Sequence, residues 1–389
     1  MRPRVPERLG GLGWVLTLGW VVVVGGLVVG PAPDAAANEW TFHTGFHADV
    51  WTGGGQDGRQ LLAPFGLAFD TPDWGASVRS AYGTSERDPG GDAPTASITG
   101  LTDTTLSAYL RFTLGETEFR AGLDVDLPTG VARLKTRDIP AAQDEDLVAV
   151  ERFGEGLDFN PTVIAYRNFG AFGVGLGFAY LKTGEFDPTR DVANDDLDPG
   201  DQLTGALLVD LYATDTIRLL AGAAYTYFTP DERRGADVLR EGDELDVRVV
   251  AEWRPEPWWL AVTLRDIVRF KAERADATGR LRTEPRNSNG NDFRAGVTAG
   301  YILNDAWSAR IAADLRRVEA NDYAADDPFH DGGRTKVAFG PSLTWSPSRT
   351  FAMDVGVRYF VLEAKQSPIF PRDTTIRGVH VDLRLTYRF

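Results

Sequence analysis

The chain has 389 residues, no cysteine and a formal net charge of −15. The lack of cysteine excludes a disulfide framework, and the acidic balance argues against nucleic acid as a partner. No alternation of strand and helix patterns, the mark of an α/β enzyme, is present.

Residues 1–37 read as a secretory signal peptide. Arg2, Arg4 and Arg8 form a basic start, Leu12 to Val29 carries no charge, and Ala35-Ala36-Ala37 offers a small-residue cleavage site. The eighteen uncharged residues sit at the lower limit for a membrane helix, and the glycines among them weaken that alternative. Residues 38–389 then form one unit. From Glu39 onward apolar and polar residues alternate with a period of two, the signature of a strand with one oily and one wet face. Trp40 to Val50 is the first such stretch. A glycine-rich loop follows, then Leu61, Ala63, Phe65, Leu67 and Phe69 share a face. Asp70-Thr71-Pro72-Asp73 is a turn, and Trp74 to Tyr82 returns. Residues 84–103 read as a long polar loop.

The pattern predicts strands over 39–51, 60–69, 74–83, 104–114, 117–127, 158–168, 171–183, 202–213, 216–228, 243–254, 258–270, 292–303, 306–317, 335–345, 350–361 and 377–389. These are about sixteen strands, and a count of fourteen is compatible with the same pattern. Tight turns (Gly115-Glu116, Phe169-Gly170, Thr214-Asp215, Asn304-Asp305 and others) alternate with long loops. Strands of roughly this length cross a bilayer at a tilt. Short turns on one side and long loops on the other suit a transmembrane antiparallel up-and-down β-barrel with its turns in the periplasm. Aromatics gather at strand ends, where the two membrane interfaces would lie. One residue fits poorly: Asp266 falls on the lipid face of strand 258–270, which requires a bulge near Arg265, a rim position or a subunit contact.

The last stretch, Val379 to Phe389, alternates without a break and ends on an aromatic residue. It resembles the C-terminal strand of bacterial outer-membrane β-barrel proteins. The resemblance implies localisation in that membrane, lipid around the wall, and an insertion signal at Tyr387 and Phe389 read by the barrel-insertion machinery. Sixteen strands enclose enough space for a water-filled channel. Basic residues outnumber acids on the inward face, and most of this excess lies on the last six strands, with Arg265, Arg294, Arg310, Arg316, Lys336, Arg358 and Arg384 as candidate pore-lining residues. The longest loop is the third, Pro128 to Leu157, with the acids Asp144, Glu145, Asp146, Glu151 and Glu155. A long third loop resembles the sixteen-stranded general porins, in which that loop folds into the barrel and narrows it; those porins are trimers, so the resemblance implies a homo-oligomer. On this reading the loop acids face the basic column across the lumen. Gly173, Gly175, Gly177 and Ala179, inward on one strand, would let the loop lie close to the wall. The stretches Leu127-Pro128-Thr129-Gly130, Phe153-Gly154-Glu155-Gly156 and Asp198-Pro199-Gly200-Asp201 also resemble barrels of the phenol-degradation meta-pathway type.

Pattern and resemblance together imply a channel for passive diffusion of small polar or charged solutes. The alternatives are a selective, partly plugged transporter for aromatic or apolar nutrients, and a barrel enzyme or adhesion scaffold. His330 lies among Asp326, Asp327 and Asp331, and outer-membrane proteases of the omptin type use acids and a histidine at the loop side, but on ten-stranded barrels; no catalytic residue is assigned. The fourth-loop acids Asp187, Asp191, Asp195, Asp196, Asp198 and Asp201 match no EF-hand spacing and read as a solvated rim. His43 and His47 lie roughly 13 Å apart along one strand and cannot share an ion. His47 and His380 are the only pair that could, and no metal or other cofactor is assigned.

Overall fold

In the computed structural model, which describes residues 38–193, 196–367, 370 and 372–389, sixteen strands form one antiparallel barrel. In chain order they are β1 (Glu39–Gly53), β2 (Gln56–Asp70), β3 (Trp74–Asp88), β4 (Ala96–Leu101 continued by Thr104–Leu114), β5 (Thr117–Leu127), β6 (Asp158–Asn168), β7 (Phe172–Leu181) and β8 (Gln202–Tyr212), followed by β9 (Ile217–Phe228), β10 (Glu244–Trp253), β11 (Trp258–Arg269), β12 (Asp292–Ile302), β13 (Trp307–Val318), β14 (Arg334–Ser348), β15 (Phe351–Ala364) and β16 (Thr374–Arg388). Each strand pairs with the next, and β1 pairs with β16 to close the circle, so no edge is left. The proposed signal peptide, residues 1–37, lies outside the described residues.

The wall obeys the alternation. On β1, Trp40, Phe42, Phe46 and Val50 are exposed on the outside, whereas His47, Asp49 and Trp51 are buried inside. At the turn side the outer aromatics touch in pairs. Trp40–Phe69, Phe112–Phe119, Phe169–Phe172, Trp258–Tyr301 and Trp307–Trp345 have ring centroids 4.7, 5.3, 5.1, 4.5 and 5.8 Å apart. They form a girdle of amphipathic rings at one membrane interface. The register through Asp266 is unbroken, with Val247 and Phe293 opposite it, which rules out a bulge. The same outer row continues through Arg317, Thr335 and Glu363. Asp266 therefore belongs to a polar rim on the loop side, where charge costs little.

Three expectations about the loops need correction. The first loop is only a two-residue turn, Gly54-Gly55, because β1 and β2 run on past the membrane. Residues 84–103 are not one loop. β3 extends to Asp88 and pairs with Ala96–Leu101, and β4 is interrupted only at Thr102-Asp103. Loops four to six carry a small sheet of their own, built from Leu197–Asp198, Asp231–Arg233, Ala236–Arg240, Glu273–Ala275 and Leu281–Thr283. These strands are only two to five residues long, too short for a period of two to mark them. Asp195 lies outside the described residues.

Candidate functional site

The third loop leaves β5 at Leu127, turns through a short 3₁₀ helix (Thr136–Ala141) and returns to β6 at Asp158. Its neck is held by Asp103, the residue in the break of β4. Asp103 accepts the Gly130 N–H at 2.8 Å on one carboxylate oxygen and the Glu155 N–H at 2.7 Å on the other, while its own N–H donates to the Phe153 carbonyl. The two chain segments of the neck meet at Gly130 and Gly154. A Cβ on Gly130 would fall 1.8 Å from the Phe153 oxygen, and one on Gly154 2.7 Å from Gly130. Only residues without a side chain allow this approach.

Inside the barrel the loop is pinned on two sides. Towards β1–β4, the Trp51 indole N–H donates to Gln143 Oε1 at 2.8 Å, Gln143 donates to the Ser85 hydroxyl at 2.9 Å, and the Gln60 side chain exchanges two hydrogen bonds with the Val150 backbone. Ala141 and Phe153 pack among Leu62, Ala96 and Ile98, all buried. Leu147 and Val148 pack with Trp51, Phe360, Leu362 and Ile376 in a second buried cluster. Towards β12–β14 the contacts are ionic. Arg316 reaches Asp146 at 2.9 Å and also pairs with Glu145, and Arg294 stands 3.7 Å from Glu145. Arg334 holds Asp144 at 3.1 Å and Asp146 at 2.7 Å, and the Lys336 ammonium donates to the Asp146 carbonyl at 2.5 Å.

The loop acids thus do not face the basic wall across open lumen; Asp144, Glu145 and Asp146 touch it. Nor does the loop lie along the glycine-bearing strand. Among the described residues its contacts with the wall run to β1–β4 and β12–β16, its Leu134 and Thr136 bond the fourth loop, and the Tyr166 side chain is what covers Gly173. Among the other predicted loop acids, Glu155 stays at the neck, 3.8 Å from Arg152, and Glu151 is exposed. The predicted pore-lining residues all point inward, and register explains the concentration of charge. Arg248, Arg265, Arg294, Arg316 and Lys336 stand opposite one another on five successive strands, β10 to β14. Most of these charges are paired locally. Arg265 holds Asp246 at 2.7 Å, Arg294 and Arg316 share the fully buried Asp292 at 2.6 and 2.7 Å, Arg310 meets Asp354 at 3.1 Å, and Arg358 meets Asp314 at 3.0 Å. Arg384 is half-buried and has no carboxylate partner among the described residues. Sequence reasoning missed Asp103, Gln143, Asp292 and Arg334. Asp292 and Arg334 sit at predicted strand ends, where alternation gives no direction, and the other two act through partners distant in the chain.

The two buried loop acids differ in kind. Burial pushes the Asp144 carboxyl above the usual range, and Arg334 offsets this only in part. Burial pushes the same way at Asp146, but Arg316, Arg334 and Lys336 outweigh it and hold that carboxyl below the usual range. The lowered group contributes docking stability that is present at neutral pH and lost as pH falls through its depressed folded-state value. The raised group has the opposite sign: its ionised form opposes docking, and protonation relieves that. Asp146→Asn should therefore expose the loop to protease at neutral pH, whereas Asp144→Asn should leave it as protected as in the parent. Limited proteolysis of the two variants measures this. Equal cleavage of both would mean that the Asp146 contacts do not hold the loop.

His47, Asp49 and His380 gather on the closing strands. His47 Nε2 and His380 Nδ1 lie 2.7 and 2.5 Å from the same Asp49 oxygen, and His47 Nδ1 lies 2.5 Å from Asp382. These are hydrogen-bond separations; the ligands of a tetrahedral ion with bonds of about 2.0–2.1 Å stand roughly 3.3 Å apart. The other Asp49 oxygen accepts the Ala149 N–H at 2.8 Å, so the cluster serves as a further anchor for the loop.

No protein-family model matches the chain, and no curated protein does. Among solved structures, it is similar to one titled a bacterial polysaccharide outer membrane secretin, with 10% identity, a TM-score of 0.46 and coverage of 92% of this chain and 100% of that one. OccAB4 of Acinetobacter baumannii aligns with 9% identity and a TM-score of 0.44 over 92% and 99% of the two chains. The TodX deltaS2S3 mutant, titled a monoaromatic hydrocarbon channel, aligns with 10% identity and a TM-score of 0.44 over 91% of each chain. With its closed antiparallel wall, apolar outer face and aromatic girdle, the chain has the architecture of a sixteen-stranded transmembrane β-barrel.

Proposed function

We propose that the protein is a channel for passive diffusion of small polar or charged solutes across the outer membrane. The observation that carries this reading is the third loop inside a charged lumen, fixed to two sectors of the wall so that it narrows the bore without depending on a moving part. A narrowed, ion-lined lumen favours hydrated solutes over apolar ones, because every uncovered arginine and carboxylate must keep its solvation. The test is conductance of the purified protein in a planar bilayer. Stable ohmic steps are expected; if only variants with a released third loop conduct, the partly plugged transporter becomes the better reading.

The proposal includes insertion by the barrel-assembly machinery, with Tyr387 and Phe389 as signal. The Phe389 N–H and carbonyl pair with Trp40 at 3.0 and 2.9 Å, and its ring stands 5.6 Å from that of Tyr387. Deleting Phe389 should lower the amount of heat-modifiable protein in the outer membrane while leaving single-channel conductance of the inserted fraction unchanged. Wild-type abundance of the deleted form would refute the signal.

A further inference from the structure

Charge selectivity in a pore is set by charges without a local counter-charge, since a paired group contributes a dipole whose field fades quickly with distance. In this lumen the basic row from β11 to β14 is largely neutralised by Asp246, Asp292, Glu145 and Asp146. Arg79 and Arg384 are different. Among the described residues neither has an acidic partner, and Arg79 is exposed to the lumen. The acids beside Arg384 are turned elsewhere. Asp354, opposite it on β15, bonds Arg310 and Thr344, and Asp382, two residues away on β16, bonds His47.

Both arginines flank one imidazole. Arg79 on β3 stands opposite Gly66 on β2, and Gly66 stands opposite His43 on β1. Gly66 has no side chain to intervene; a Cβ there would fall 2.3 Å from His43 Nε2, so the ring lies across Gly66 towards β3. On the other side Arg384 of β16 stands opposite Gly45, two residues along β1 from His43. Strands are spaced about 4.7–4.9 Å, so the register places Arg79 two strands from His43 and Arg384 on the neighbouring strand.

We propose that Arg79, His43 and Arg384 form an oxyanion-binding step on the turn side of the third loop, and that this step sets an anion preference in the channel. A guanidinium offers a fork that matches a carboxylate or a phosphate, so the ligand class is small oxyanions, carboxylates and phosphate alike. The selectivity half of the proposal rests on the channel reading above; the binding half does not.

Two measurements separate them. In detergent-solubilised protein, inorganic phosphate and, separately, acetate are titrated while the ring resonances of the four histidines are followed. Saturable movement of the His43 resonance is expected, with loss of that movement in Arg79→Gln/Arg384→Gln. In a planar bilayer under a salt gradient, the same double variant should shift the reversal potential towards the cation limit, and the shift should shrink between 0.1 M and 1 M salt as the screening length falls from about 10 Å to about 3 Å. Arg358→Gln/Asp314→Asn, which removes a charge of each sign, should shift it less. A His43 resonance that phosphate and acetate leave unmoved overturns the binding step. A larger shift from Arg358→Gln/Asp314→Asn than from the arginine pair overturns its control of selectivity. If the oxyanion moves His43 but the wild-type protein does not conduct, the site stands and the channel reading fails.

Discussion

Replacing Arg316 with methionine should release the third loop and raise single-channel conductance. Arg316 is mostly buried and joins three carboxylates: Asp146 and Glu145 of the loop and Asp292 of the wall. Removing one partner from a buried ion pair costs about 3–5 kcal/mol, because the remaining charge keeps its desolvation penalty. The lower end, about 3 kcal/mol, is expected here, since Asp292 keeps Arg294 and Asp146 keeps Arg334. The methionine fills similar volume, so the loss is electrostatic rather than a cavity effect. Arg316→Lys should recover only part of it, because a single ammonium cannot reproduce the fork that serves three acceptors. Urea unfolding of refolded protein reads the stability, and bilayer recording reads the bore. Unchanged conductance in the methionine variant, alongside an unchanged unfolding midpoint, would show that Arg316 is not needed to hold the loop.

The second large effect concerns the lipid face. Leu383 stands opposite Phe46 and Val355, all three outward and well inside the strand ends. Leu383→Arg and Val355→Arg should each cost about 2–4 kcal/mol, the penalty for a cation near the bilayer midplane. Gly356→Arg and Thr386→Arg point inward to water and should be milder. At Gly356 an added Cβ would meet nothing nearer than the Ser342 Cβ at 3.5 Å. A refolding titration compares the two sets. Equal damage from both would mean a register one residue out, since such a slip exchanges the two faces.

The legible part of the fold was whatever the bilayer writes into the chain. Between lipid and water the period of two is forced, so the strand count, the tight turns and the direction of residues such as Asp49 and Leu383 could be read directly. Beyond the membrane nothing forces it. The extensions of β1–β4 past Trp51, Gln60 and Gly83 were therefore missed, as was the small sheet in loops four to six. The third loop was singled out by length and charge, but its docking was not readable in detail. Asp146 finds Arg316 170 residues away and Ala149 finds Asp49 100 residues away, and no local pattern encodes such distances. The contact between loop and wall also changes the electrostatic expectation. Arg294, Arg310 and Arg358 look decisive as an inward column, yet each has its own carboxylate, while Arg79 and Arg384 do not.

A closed sheet made from a linear chain has one joint that no peptide bond crosses, here the pairing of β1 with β16. In this barrel that joint is bolted from within by a mid-chain segment. Asp49 of β1 takes His380 of β16 on one oxygen and Ala149 of the loop on the other, and Leu147 and Val148 pack against Trp51 and Ile376 from its two sides. Parting the joint therefore also breaks contacts of the loop, so the two events are coupled. Kinetically, contacts between residues so far apart in the chain form late in folding. Interactions that form after the folding barrier act mainly to slow escape from the native state. The loop that narrows the bore is thus also a latch whose removal should be felt as faster unfolding far more than as slower folding.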